Sequence, residues 1–438
     1  MAHNPAVVIV GAGIAGVSAA YALTVDRGVD RVTVVDPRAP LTLTSDKSTE
    51  SYRNLWPDRA MVGLINRSID ILEGLSYLSD NAFRMNRRGY LFVTSKPSTF
   101  DDLASLAETC SSLGGGPVRS GAEIAADGEN GFDLLDSTDV SSRHRYLTED
   151  AVGAVAVRRA GWLDAQQLGA WMLQRARAAG ATLERGEVTD VVVSSGTVIG
   201  VKLRDGTFIE ADAVVNAAGP FAGQVAAMAG VDLPLHSELH LKVVFQDRFG
   251  VLPREAPMLI WCDPQLIDWA PEERNELLKA GRDELVGELP LFCHGRPEGG
   301  PDSRYVVGLW EYDKTVIDPT WPLPIDELYA ELVIRGLSRM IPGMQRYREA
   351  LPETAVDGGY YTKTPENRPL IGPTGPDGFH VMVGLSGFGI MAAAGAAELL
   401  ADHLLGAALP EHAQAFLPAR YEDSGYMASV GDWETGQL

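Results

Sequence analysis

Three glycines and an acid open the chain with a recognisable chemistry. Gly11, Gly13 and Gly16 stand in the order GxGxxG, and Asp36 follows twenty residues after the last of them. Glycines at this spacing let backbone N–H groups approach a pyrophosphate closely. A helix beginning there adds the positive end of its dipole. A carboxylate at Asp36 can accept both hydroxyls of a ribose and repels a 2′-phosphate. Ile14 and Ala15, inside the turn, and Pro37, after the acid, belong to the same binding surface.

The flanking elements have the order this chemistry needs. Residues 6–10, AVVIV, are a continuous apolar run, as in a strand covered on both faces. A helix through about Asp26 is expected next, with Gly28 as its stop, then a strand RVTVVD ending in Asp36. A lone GxGxxG is weak evidence, whereas one between a strand and a helix, with an acid closing the second strand, is strong.

A second strand–glycine loop–helix pattern lies more than three hundred residues further on, in HVMVGLSGFGIMAAAGAAELLADHL. Between the two, the chain departs from a nicotinamide-binding protein, which continues with further βαβ units. A polar stretch, TLTSDKSTESYRNLW, leads into an amphipathic helix with Met61, Leu64, Ile65, Ile69, Leu72 and Leu75 on one face. A later helix has Asp164 as N-cap and Gly180 as stop. Short strands follow, with turns at Ser195–Gly196 and Asp205–Gly206.

Composition narrows the partners. With 37 basic against 59 acidic side chains, a formal charge of −22 repels nucleic acid and anionic membranes. Cys110, Cys262 and Cys293 have no metal-ligand spacing, and no metal site is expected. The first strand starts almost at once, and the apolar run 381–397 reads as too short and too broken to span a bilayer, so a cytoplasmic location is expected. The oligomeric state stays open.

The chain resembles the flavin-dependent amine oxidoreductases of the D-amino-acid oxidase, glycine oxidase and sarcosine oxidase group. The resemblance rests on VVIVGAGIAG…VVD, on GEV ending at Val188, on DAVVNAAGPFA, on TPENRPLIGPTG and on GLSGFGIM. It implies an α/β fold: a Rossmann-like FAD-binding domain interleaved with an α+β substrate domain on a mostly antiparallel sheet. Residues 1–84, 151–234 and 356–438 would form the first domain, and 85–150 with 235–355 the second. It also implies one extended FAD held at both ends. The first turn, with Ala218 and Gly219, takes the diphosphate, and Val188 the adenine. Ser45, Lys47, Ser48 and Thr49 take phosphate and ribityl oxygens. Gly387, Phe388, Gly389, Ile390 and Met391 take the flavin ring.

By the same resemblance the reaction is oxidation of a C–N bond in a secondary amine or amino-acid-like small molecule. Hydride passes to flavin N5, and oxygen or another acceptor reoxidises the flavin. Arg53, His240, Lys242, Tyr361 and Arg368 are the candidates for substrate contact or catalysis. Three departures stand out. Gly359 or Tyr360 replaces the cysteine that carries covalent flavin in some members, so FAD should be noncovalent. Met391 replaces a carboxylate-binding lysine, and Val306 an oxygen-activating one. Two other readings remain open: a flavin-binding scaffold without turnover, and a flavin monooxygenase or tailoring enzyme.

Overall fold

The computed structural model describes residues 4–124, 128–300, 302–348 and 350–429. Two large sheets organise the chain. The first has six strands, in the spatial order Leu370–Pro373, Phe379–Val383, Ala213–Asn216, Ala6–Val10, Arg31–Asp36 and Thr182–Arg185. All neighbours are parallel except the edge hairpin of Leu370–Pro373 with Phe379–Val383. The central strands are apolar and buried on both faces, as parallel sheets require.

Helices cover the first sheet. The expected opening helix is α-helical over Ile14–Tyr21 and closes with a wider π turn, Ala22–Asp26. The amphipathic helix runs Arg59–Leu78, capped by the Asp58 side chain, which accepts from the Met61 amide. Met61, Leu64, Ile65, Ile69, Leu72 and Leu75 are all buried, each contributing roughly 1.5–3 kcal/mol on transfer from water. The helix Gly389–Leu405 packs against both. The window Ser386–Leu405 is, by length and composition alone, long and apolar enough to cross a membrane, contrary to the expectation for this region. Two-thirds of it (67%) is buried in the fold, as in a core helix.

The second sheet has nine strands, ordered Thr354–Lys363, His236–Gln246, Tyr305–Leu309, Cys293–Glu298, Met258–Trp261, Tyr90–Thr94, Gly153–Val157, Phe132–Asp136 and Val118–Ser120. It is antiparallel apart from two parallel pairs, Met258–Trp261 with Tyr90–Thr94 and Val118–Ser120 with Phe132–Asp136. Two strands cross the expected domain boundaries. Gly153–Val157 pairs with Tyr90–Thr94, and Thr354–Lys363 with His236–Gln246, so both belong to this sheet rather than the first. Their sequences carry only generic strand character, and the partner decides the sheet. The long Thr354–Lys363 strand then leads directly back to the first sheet's edge, which places the second sheet beside the C-terminal glycine turn.

Candidate active site

The first turn is shaped by close backbone contacts. Gly11 has φ +109°, and a Cβ there would lie 2.4 Å from the Ala217 carbonyl oxygen. A Cβ on Gly16 would lie 1.9 Å from the Gly11 carbonyl oxygen. No side chain fits at either position, so the strand, the turn and the 217–219 segment meet at backbone distance. Asn216 holds the neighbouring turn: its amide donates to the Ala222 carbonyl, and its oxygen accepts from the Ala218 N–H. Asp36 accepts from the Ala12 and Arg38 amides. The Ile14 amide, a free donor of the helix N-terminus, donates to the Ser45 hydroxyl at 2.9 Å.

Both glycine turns line one cleft of about 490 Å3. Gly11, Gly13, Ile14, Ala15, Asp36, Pro37, Ser45, Ser48, Val188, Ala218 and Gly219 border it from one side. Gly387, Gly389 and Ile390 border it from the other, together with Tyr360 and Tyr361. Gly16 lies beneath the turn as a packing residue. The cleft and its donors fit a dinucleotide: a space of the right order, a turn packed at backbone distance beside a helix N-terminus, and a second helix entry among the lining residues.

A smaller cavity of about 40 Å3 adjoins the cleft, sharing Tyr361 and Gly387 with it. Thr49, Arg53, Tyr90, His294, Glu311, Phe388 and Met391 line it as well. Phe388 and Met391 thus face this cavity rather than the cleft. Phe388 packs edge-on against Trp56, centroids 5.0 Å apart. Arg53 is buried at the end of the short strand Ser51–Arg53, its guanidinium over the Trp56 ring at 4.9 Å and 5.9 Å from the Tyr90 ring centre. Burial lowers its pKa; Glu311 works in the opposite direction.

Behind this cavity lies a chain of buried charges. His240 Nδ1 is 2.9 Å from Glu311 Oε1, and Nε2 is 3.2 Å from Glu238 Oε2. The Lys363 amine donates to Glu238 at 2.7 Å. Burial opposes charge on His240, yet the two carboxylates raise its pKa above the ordinary histidine value. Burial likewise opposes charge on Glu238, but His240 and Lys363 lower its pKa to about 2. Glu311 is held below the usual carboxylate range against its own burial, chiefly by His240. His240 reaches the cavity only through Glu311 and through Tyr361, on whose ring it stacks.

The remaining candidates have other partners. The Lys242 amine donates to the Asp46 and Ser48 carbonyls, at 3.0 and 3.1 Å. Lys47 pairs with Asp357 at 2.6 Å and with Asp46 at 3.0 Å. Arg368 pairs with Asp58 at 2.6 Å. None of these three lines the cleft or the small cavity. Lys242 and Lys47 instead fasten the polar loop to the second sheet. Arg296 does the same through the Thr49 carbonyl, and Thr44 donates to the Tyr360 carbonyl. Val306 is buried in the core of the second sheet.

Four residues at the site escaped the sequence reading. Glu311 and His294 line the small cavity, Arg296 holds the loop, and Arg38 lines the cleft beneath Phe221, 5.1 Å from its ring centre. For Glu311 there was one signal: an acid directly after the apolar run YVVGLW.

The family model for FAD-dependent oxidoreductases (DAO) matches residues 6–403, and the chain belongs to this family of flavoprotein oxidoreductases. Its fold is similar to several solved structures. L-proline dehydrogenase from P. horikoshii is 22% identical, with 96% of this chain and 99% of that one covered and a TM-score of 0.74. Glycine oxidase from Geobacillus kaustophilus is 17% identical, covering 93% and 96%, with a TM-score of 0.72. Iminodiacetate oxidase from Chelativorans sp. BNC1 is 20% identical, covering 94% and 98%, with a TM-score of 0.70. The protein is accordingly an FAD-dependent enzyme.

Proposed function

We propose that the enzyme oxidises the C–N bond of a secondary amine or amino acid carrying a carboxylate, with FAD held noncovalently. The observation that carries this reading is Arg53. Among the described residues lining the small cavity it is the one arginine or lysine, and the cavity opens onto the flavin end of the cleft at Tyr361 and Gly387. A buried guanidinium gives a carboxylate a charge-assisted, bidentate partner. Met391, where related enzymes place a lysine, adds no second cation. The similar structures, a proline dehydrogenase, a glycine oxidase and an iminodiacetate oxidase, favour the same substrate class.

Bound FAD supplies the two-electron acceptor. The protein's part is to bind and orient. Gly11, Gly13 and Ile14 would hold the diphosphate, and the Ser45 hydroxyl, which accepts from the Ile14 amide, keeps its own proton to donate to the anion. Asp36 takes the ribose and the Val188 backbone the adenine. Gly387, Gly389 and Ile390, at the N-terminus of Gly389–Leu405, would hold the ring, and backbone donors with a positive helix end would favour negative charge on it. Arg53 fixes the substrate's carboxylate, and Phe388, Met391 and Tyr361 exclude water around the reacting carbon. Gly359 and Tyr360 stand where some members of the family carry the cysteine for covalent flavin, which supports a noncovalent cofactor. Anaerobic addition of N-alkyl and cyclic amino acids, with the 450 nm band followed, tests the reading. Bleaching by at least one is the expected result. A flavin that none of them reduces would favour a binding or scaffold role.

A further inference from the structure

The small cavity holds two opposite charges. Glu311 is the one carboxylate among its described lining residues, as Arg53 is the one arginine or lysine. Carboxylates are rarely placed in such a position without a partner, and Glu311 has one on the side away from the cavity, His240 Nδ1 at 2.9 Å. That contact is a close ion pair to Oε1 without the alignment of a hydrogen bond. A carboxylate has about four lone-pair sites, and its second oxygen is a further acceptor. His240 is in turn anchored by Glu238, and Glu238 by Lys363. The anchor is rigid: the His240 ring lies against Tyr361 with 15° between planes. Glu311, anchored through His240, and Arg53 thus bring an acceptor and a cation to the lining of one small cavity.

We propose that Glu311 determines specificity for the nitrogen of the substrate: its carboxylate accepts the N–H of the amine whose adjacent carbon is oxidised, while Arg53 takes the carboxylate. This rests on the small cavity being the substrate's site. A ligand then needs an acid group and an N–H donor on one short backbone. Space of about 40 Å3 accommodates only a few waters, so the groups reaching into it are small. The reacting carbon lies where the cavity meets the cleft, beside Tyr361 and Gly387. A tertiary amine in its neutral form, lacking the N–H, gains nothing from Glu311. His240 is a positioning residue, holding Glu311 in its rotamer and charged.

Matched pairs of small acids isolate this contact, because each pair differs only at nitrogen. Sarcosine is compared with methoxyacetate, and L-proline with (S)-tetrahydrofuran-2-carboxylate, on the anaerobic holoenzyme. Apparent Kd comes from the flavin spectrum or its bleaching. In the native enzyme one amine or both should bind about tenfold or more tighter than the oxygen isostere. Glu311→Gln, which loses the charge and can turn an N–H to the ether oxygen, should bring that ratio close to one by weakening the amine, with isostere binding equal or tighter. Should Glu311→Gln lose its flavin, Glu311→Asp keeps the charge but withdraws it, and an intermediate ratio is expected. A ratio unaltered by substitution, or equal weakening of both members of a pair, overturns the assignment to Glu311. Isosteres binding as well as the amines in the native enzyme overturn it too, while leaving the Arg53 reading in place. Neither member of either pair binding overturns both readings.

Discussion

The rings of His240 and Tyr361 stack, with centroids 4.0 Å apart and 15° between their planes. One ring belongs to a buried ion network and the other to the wall shared by the cleft and the small cavity. The stack is therefore the joint between the charge chain and the site. Both strands contribute through register: His240 is directly opposite Gly359, next to Tyr360 and Tyr361 on the partner strand. A glycine at 359 leaves room there, since its missing side chain would press on Thr44 and Lys47 of the cofactor loop.

Removing the imidazolium should expose the repulsion it masks. His240→Leu leaves Glu238 and Glu311 buried without their common cation, and roughly 3–5 kcal/mol of stability should be lost near neutral pH. The loss has a defined pH shape. Glu238 and Glu311 have depressed pKa values, so their contribution exists above the ordinary carboxylate pKa and fades as pH falls through the lowered values. His240 has a raised value, so its contribution is complete below the ordinary histidine pKa and fades as pH rises through the raised one. Urea melts of native protein and variant should differ most between those limits and converge on either side.

Arg53→Met should separate substrates by charge. Loss of a buried charge-assisted hydrogen bond corresponds to about 1.5–3 kcal/mol, or roughly 10- to 100-fold in kcat/KM for a carboxylate-bearing amine. Retained flavin absorbance in the variant controls for folding. Equal rates for variant and native enzyme would contradict the role assigned to the guanidinium.

Glu50 predicts an effect of opposite sign to that of the other carboxylates. Burial raises its pKa to about 7, only partly offset by Lys242 and Arg296. A raised carboxylate binds its proton more tightly in the folded state. Its favourable contribution is complete below the ordinary value of about 4.5 and is lost as pH rises through about 7. Glu50→Gln should therefore melt higher than the native protein at pH 8, by about 1–3 kcal/mol. At pH 5 the two should nearly coincide. Thermal melts at the two pH values decide.

Lys242→Met should weaken the hold on FAD while sparing the preference for substrate charge. Two loop carbonyls, of Asp46 and Ser48, lose their donor, at a cost of about 1–3 kcal/mol. The measurement is flavin retained after gel filtration at increasing dilution, set beside the substrate series used for Arg53.

The backbone chemistry of this site is written in the sequence; its side-chain pairing is not. Gly11, Gly16 and Asp36 stand out because a strand–turn–helix unit closing on a diphosphate tolerates few alternatives at those positions, and the family follows from the two turns together. Lys242 and Arg368 look available for substrate, and Lys47 for the cofactor, when read as residue types. Their partners come from distant parts of the chain: Lys47 and Arg368 each pair with a carboxylate 310 residues away. Glu311 was missed for the complementary reason. It becomes conspicuous only once Arg53, His240 and Tyr361 are folded around it. The two strands that changed sheets, Gly153–Val157 and Thr354–Lys363, were ambiguous because apolar alternation reports a buried face but never names the neighbour.

The polar loop 44–49 belongs in sequence to the first sheet, yet three strands of the second fasten it: Lys242 and Arg296 donate to its carbonyls, and Asp357 and the Tyr360 carbonyl accept from its Lys47 and Thr44. Cofactor uptake and the mating of the two halves of the molecule are thereby one event. A half-assembled chain would have no finished saddle for the diphosphate, and an empty chain would lack the rod that keeps its halves aligned. Heat resistance should consequently climb with the amount of free flavin nucleotide supplied, by mass action.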